Sequence, residues 1–216
     1  MEHEMCPVGI RLTGRRVVFA GAGEVAQRKI QRVLKMGASI TVIAPEAAAE
    51  IEQLAASGTI SLSPRTAEPS DFAGAFLAFI ATSDGDANRA LAQAARSHGA
   101  LVNQADDPDN CDFVLPALAY MNTLRIGVFS ESPALSKWVR RYLERTLGDK
   151  FPEFAGVFGR IRQKIRMLEL PQQVRAEIVS RLLNEGLYET YRDSGEKATI
   201  AHAETVVREY VPKGKN

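Results

Sequence analysis

The sequence predicts an α/β fold: a parallel sheet covered by helices on both faces, then a small β-containing segment, then an all-helical C-terminal module. Three observations carry this. Short apolar runs alternate with stretches of helical spacing through the first half of the chain. A glycine-rich break follows the first run. From Ser132 onward the pattern is helical nearly to the end, punctuated by Pro133, Gly148, Pro152 and Pro171.

The elements follow in order. Val17-Val18-Phe19-Ala20 is apolar and β-branched, as a buried strand requires. Gly21-Ala22-Gly23 ends it. Residues 24–36 place Val25, Ala26, Ile30, Val33 and Leu34 at helical spacing, and Gly37 suits the position just past a helix. Residues 39–44 form a second strand, stopped by Pro45. A helix over 46–56, a short strand over 60–62, a strand over 75–81, a helix over 86–97 and a strand over 100–103 continue the alternation. Strand and helix repeated in this way make right-handed parallel crossovers. Residues 113–119 and 124–129 read as two more strands, with Met121-Asn122 at the turn between them. The expected division is 1–112, 113–147 and 148–216, with the last four residues frayed.

Composition narrows the class. The 216 residues are 45% hydrophobic and 25% charged, which excludes general disorder, collagen and a disulfide mini-protein. Residues 1–4 are acidic and lack an apolar stretch, so no secretory signal is expected. The longest apolar run, 72–82, is far shorter than a membrane helix needs. Two cysteines suit a reducing cytoplasm. The expectation is a cytoplasmic protein that binds neither membrane nor nucleic acid.

Gly21-Ala22-Gly23-Glu24-Val25-Ala26 fits G-x-G-x-x-A, between a strand and a helix. The first glycine permits the tight turn, the second lets a pyrophosphate approach bare backbone, and the alanine allows close helix–strand packing. Helix-start N–H groups attract the phosphate charge. The same loop also serves as a tight turn with no ligand. As a dinucleotide site it makes the first domain Rossmann-like. No acid ends the second strand, where Ala44-Pro45 stand with Glu46 following, and no arginine there favours a 2′-phosphate. The expected cofactor is NAD.

Several segments together resemble the precorrin-2 dehydrogenase (siroheme synthase N-terminal) family. They are Pro7 to Leu12, the loop Gly21 to Lys29, Val42-Ile43-Ala44-Pro45-Glu46, Ala81-Thr82-Ser83-Asp84 with Asn88 following, Val102 to Pro108, and Cys111-Asp112-Phe113 with Pro116-Ala117. The likeness covers about residues 7–147 and continues more loosely beyond. It implies oxidation of precorrin-2 to sirohydrochlorin with NAD, on the way to siroheme. In some members it also implies iron insertion, and it implies a homodimer whose connector and helical tail build the substrate cleft. Glu24, Val25, Pro45 and Glu46 fall where the family contacts NAD, joined by Gly21, Ala22, Gly23, Thr82, Ser83 and Asn103. Asp106 falls on the family's key carboxylate. Read alone, Asp106-Asp107-Pro108 is equally a turn. As a general base, Asp106 is expected to be partly buried, with its pKa raised toward neutrality.

One departure from the family is visible. Its Ser/Thr-Gly-Gly-x-Ser-Pro loop is replaced by Phe129-Ser130-Glu131-Ser132-Pro133, shorter and without the glycines. Ser130 is the nearest match to a serine that some members phosphorylate. Ser130 and Ser132 are substrate-binding candidates.

The charge pattern and the scattered aromatic and histidine residues add further expectations. Between 137 and 166 stand nine basic and three acidic residues, inside a chain of net charge +1. A precorrin carries many carboxylates, so Arg140, Arg141, Arg160, Arg162 and Lys164 are candidates for binding it, the first two above all; a solvated helical face or a nucleic-acid patch is the plainer alternative. Trp138 and Tyr142 are spaced to pack a core or a dimer face. His3, His98 and His202 are scattered, so no fixed metal site is expected. The resemblance implies a fused methyltransferase domain in some relatives, and none is expected within these 216 residues. The alternative function is an NAD-binding regulatory domain without catalysis, which would need the glycine loop but not Asp106.

Overall fold

The computed structural model describes residues 5–211; the expectations on residues 1–4 and 213–216 lie outside it. The chain divides into two compact units, with the boundary between Leu115 and Pro116.

The first unit alternates strand and helix: β1 (Arg16–Ala20), α1 (Glu24–Leu34), β2 (Ser39–Ile43), α2 (Ala49–Ala56), β3 (Ser61–Ser63), β4 (Leu77–Ile80), α3 (Gly85–Ser97) and β5 (Leu101–Gln104). The five strands form one parallel sheet in the order β3-β2-β1-β4-β5. The chain winds outward from β1 to β3, then returns to start again at β4. The switch point therefore lies between β1 and β4, and open α/β sheets bind ligands just beyond the carboxyl ends of the strands there.

The alternation along β1 explains why both faces are covered. Val17 and Phe19 point to one side with Ile30, Val33 and Ile51; Val18 and Ala20 point to the other with Leu91, Ala92 and Ala95. These four side chains are fully buried. Phe19 stacks on Phe79 at 4.5 Å between ring centroids, and Phe113 meets Phe79 edge-on at 5.2 Å. Burying one such ring is worth about 1.5–3 kcal/mol.

The structure corrects several boundaries. The second helix begins at Ala49, not at residue 46: the chain bends at Pro45 and Glu46, Ala48 is extended, and the Ala48 N–H donates to the Ala22 carbonyl at 3.0 Å. The first helix ends at Leu34, and the chain turns through Gly37 at φ +76°. Residues 113–116 are not strand. Phe113 and Leu115 pack on the first unit's core instead, and the ladder starts at Ala117.

The second unit opens with an antiparallel hairpin, β6 (Ala117–Met121) and β7 (Leu124–Val128). Asn122 turns it at φ +55°, a conformation asparagine tolerates. Four helices follow: α4 (Pro133–Leu147), α5 (Phe151–Arg166), α6 (Gln172–Asn184) and α7 (Leu187–Tyr210), the last broken at Gly195. Phe154, Val157, Ile161, Ile178, Leu182 and Leu187 form the core that α5, α6 and α7 share. No helix among the described residues is long and apolar enough to cross a membrane.

Candidate cofactor and carboxylate site

The glycine loop leaves the carboxyl end of β1 at the switch point. Gly21 has φ +102°, and a Cβ there would lie 2.2 Å from the Ala81 carbonyl oxygen. Only glycine fits, because both backbone shape and the approach of β4 forbid a side chain. Gly23 is different. Its backbone is ordinary extended (φ −80°, ψ −174°), and a Cβ there would meet nothing within 4 Å. Nothing inside the protein demands a glycine at this position. It begins α1, whose first N–H groups receive no side-chain cap. Uncapped donors at a helix start seek an anion. A bare, open Gly23 beside them is the cradle that a pyrophosphate needs, so the residues present fit a dinucleotide. Glu24 and Val25, the first residues of α1, are exposed on this rim, as are Pro45 and Glu46 past the end of β2.

Asp106 lies two residues past the end of β5, also at the carboxyl edge. It is exposed rather than partly buried. Asn88 Nδ2 donates to its Oδ2 at 3.0 Å, and Gln104 Nε2 donates to its Oδ1 at 3.1 Å. These bonds favour the charged form, so the Asn88 amide first, then Gln104 and the nearby Arg89 charge, hold the carboxyl below the usual range. This overturns the expected upward shift: the group is a ready carboxylate. Asp107 and the 3₁₀ turn Pro108–Asn110 supply the turn chemistry beside it.

Thr82 follows β4 across the switch point, and its hydroxyl donates to Asn88 Oδ1 at 2.6 Å; Ser83 beside it is exposed. Asn103 is only 7% exposed and is fully engaged: Oδ1 accepts from Lys29 Nζ at 2.6 Å, and Nδ2 donates to the Phe113 carbonyl at 2.9 Å. Its amide braces the end of β5. Cys111 Sγ accepts from the Gln104 N–H at 3.2 Å, and burial pushes its thiol up. Gly21, Ala22, Gly23, Thr82, Asn103 and Asp106 thus share one edge of the first unit.

The other candidates lie in the second unit. The Ser130 hydroxyl donates to the Ser132 carbonyl and pairs with the buried Ser136 hydroxyl, both at 2.7 Å. Ser132 Oγ caps α4 through the Leu135 N–H. Both serines therefore shape the glycine-free loop. Arg140 is bound at both oxygens of Glu144, at 2.6 and 2.7 Å, and Arg141 is exposed. No group of three or more His, Cys, Asp or Glu that could hold a metal occurs among the described residues.

The sequence motif contains Asn88 and Gln104 without pointing to a role for either. A signal for Asn88 was present. It occupies the inner stripe of α3 with Leu91, Ala92 and Ala95, where a polar residue needs a buried partner.

An NAD(P)-binding family model, NAD_binding_7, matches residues 8–117, about half of the chain. Siroheme synthase of Methylococcus capsulatus is 36% identical over 162 residues, 74% of this chain and 34% of that protein. Siroheme synthase of Nitrosomonas europaea is 32% identical over 180 residues, 82% of this chain and 38% of that protein. The chain thus spans little more than a third of the length of these curated relatives. Among solved structures, the precorrin-2 dehydrogenase SirC is similar at a TM-score of 0.74 and 25% identity, covering 93% of this chain and all of SirC. The chain belongs to the NAD(P)-binding family of the siroheme synthases and precorrin-2 dehydrogenases.

Proposed function

We propose that the chain is an NAD-dependent dehydrogenase that oxidises precorrin-2 to sirohydrochlorin in siroheme biosynthesis. One observation carries the reading: the open glycine cradle and the ionised Asp106 lie on the same carboxyl edge of one sheet. The names of the similar proteins supply the substrate class.

Bound NAD supplies the hydride acceptor. The chain's residues do the rest. The N–H groups at Gly23, Glu24 and Val25 hold the pyrophosphate, Gly21 and Ala22 shape the turn, and Pro45 and Glu46 flank the ribose. The absence of a basic residue beside Pro45 favours NAD over the 2′-phosphorylated form. Thr82 and Ser83 border the site across the switch point, and Asn103 supports it from within the sheet. As the substrate gives up a hydride, the Asp106 carboxylate takes the accompanying proton, a step worth about 10²–10⁴ in rate.

The second unit contributes substrate charge recognition and assembly. The positive stretch from 137 to 166 suits a substrate rich in carboxylates. Within it, Arg141 is exposed, whereas Arg140 already neutralises Glu144; Ser130 and Ser132 set the loop that leads into α4. Leu135, Trp138 and Tyr142 form an exposed apolar stripe along α4, with the two rings stacked at 5.5 Å. Such a stripe supports a homodimer. Free cysteines suit a cytoplasmic location. Ferrochelation is a second activity of the same carboxylate, acting on pyrrole N–H groups.

The test is anaerobic incubation with precorrin-2 and NAD, following sirohydrochlorin absorbance. Asp106→Ala should abolish product while NAD still binds by calorimetry. Unchanged turnover in that variant overturns the catalytic role, and NAD binding with no turnover in the parent favours a regulatory domain. Fe²⁺ or Co²⁺ added to preformed sirohydrochlorin tests chelation; a rate equal to the protein-free control removes it.

A further inference from the structure

We propose that Asn88 is the positioning residue of this enzyme, holding the Asp106 carboxylate and the end of β4 in one rigid frame, a role that rests on reading Asp106 as the proton acceptor.

Asn88 is 1% exposed, and its amide is saturated. Oδ1 accepts from the Thr82 N–H at 3.1 Å and from the Thr82 hydroxyl at 2.6 Å. Nδ2 donates to the Thr82 carbonyl at 3.2 Å and to Asp106 Oδ2 at 3.0 Å. A neutral amide offers two N–H donors and an oxygen with two lone pairs, and all four are used here. No other side chain of this volume satisfies the same set. Leucine would strand the Thr82 N–H, and aspartate would set a carboxylate against a carboxylate.

The second oxygen of Asp106 is fixed by Gln104, so amides from α3 and β5 grip the carboxylate on both sides. Gly85 opens α3 beside it, and a Cβ there would lie 3.3 Å from Oδ2. The charged group acting on Asp106 is Arg89 of α3, which is itself paired with Asp86. The other end of the clamp matters equally. Thr82 follows Ala81, whose carbonyl is the atom against which Gly21 packs. Asn88 therefore ties the carboxylate to the strand end that also seats the cofactor loop. Its donor bond favours the charged form, so its loss must raise the Asp106 pKa.

The test uses the full chain and two readouts. In the first, the Asp106 side-chain carboxyl is titrated by carbon-detected NMR, with and without NAD. The parent should titrate below the ordinary carboxylate range, and Asn88→Ala should titrate higher. In the second, the acid limb of kcat/KM for precorrin-2 oxidation should move to higher pH in Asn88→Ala by the same amount. There kcat should fall about tenfold to a hundredfold, within the range general bases contribute, while the Kd for NAD changes less than about threefold. An unmoved Asp106 titration and an unmoved acid limb in a folded Asn88→Ala protein overturn the proposal. Should Asn88→Ala fail to fold, Asn88→Asp keeps the volume and the acceptors for Thr82. It should raise the Asp106 titration further, and an unmoved one overturns the proposal equally. If Asp106→Ala retains turnover, the catalytic reading fails, yet the NMR titration still decides whether Asn88 holds the carboxylate.

Discussion

Lys29 Nζ donates to Asn103 Oδ1 at 2.6 Å, joining the helix that starts at the cofactor loop to the strand that leads to Asp106. The amine also lies 5.6 Å from the Phe79 ring centroid. Burial pushes its pKa down. Lys29→Met keeps the apolar stem but orphans a buried amide oxygen, and should cost about 1–3 kcal/mol in urea denaturation at neutral pH. The sign of the pH dependence follows from burial. The folded pKa lies below the ordinary lysine value of about 10.4. The unfolded chain therefore binds the extra proton between the two values, and stability rises with pH across that window. The parent should gain on Lys29→Met as pH climbs toward about 10. A gap that stays constant would show that the amine is not titrating under burial.

Gly21 and Gly23 stand two residues apart but should fail differently. At Gly21, an added Cβ clashes with the Ala81–Thr82 backbone just past β4 and the residue must hold a positive φ. Gly21→Ala should therefore destabilise the first unit by several kcal/mol, about 2–4 from strain and displaced packing together. At Gly23, the added side chain meets open space and the backbone suits any residue. Gly23→Val should leave the melting temperature within about 2 °C, since surface changes are worth about 0.5 kcal/mol or less. Its Kd for NAD should weaken by at least about tenfold, because the side chain fills the cradle. Equal melting losses in both variants would show that Gly23 serves packing and not a ligand.

The difference between these glycines also marks what the sequence could reveal. The loop was legible because its meaning is local: strand, glycines and helix are consecutive, and the crossovers after it repeat the pattern. The strands were legible for the same reason, since Val17 to Ala20 are apolar on both faces of a sheet covered on both sides. The Asn88 clamp was not legible. Positions 88 and 106 meet only once β4 and β5 pair, and the downward pull on Asp106 comes from two amides whose direction no spacing shows. Phe113 misled for a related reason. Its β-forming character is real, but its ring packs edge-on against Phe79 and the ladder pairs only from Ala117 onward.

The stripe on α4 gives the last prediction. Trp138 is 58% exposed, Leu135 51% and Tyr142 48%, and the helix starts cleanly at the Ser132 cap and Pro133. Helical spacing sets the three on one side, and the two stacked rings hold each other in place without being covered. A large aromatic left in water this way is a typical interface anchor, worth about 2 kcal/mol or more when truncated. Trp138→Glu puts a charge where the homodimer reading places an apolar contact. It should weaken self-association by at least about thirtyfold, the equivalent of 2 kcal/mol, and shift the sedimentation coefficient from dimer to monomer at micromolar concentration. The circular dichroism spectrum should be unchanged, because the side chain contributes nothing to the buried core of the helical unit. A Trp138→Glu protein that sediments as the parent does would remove α4 from the interface.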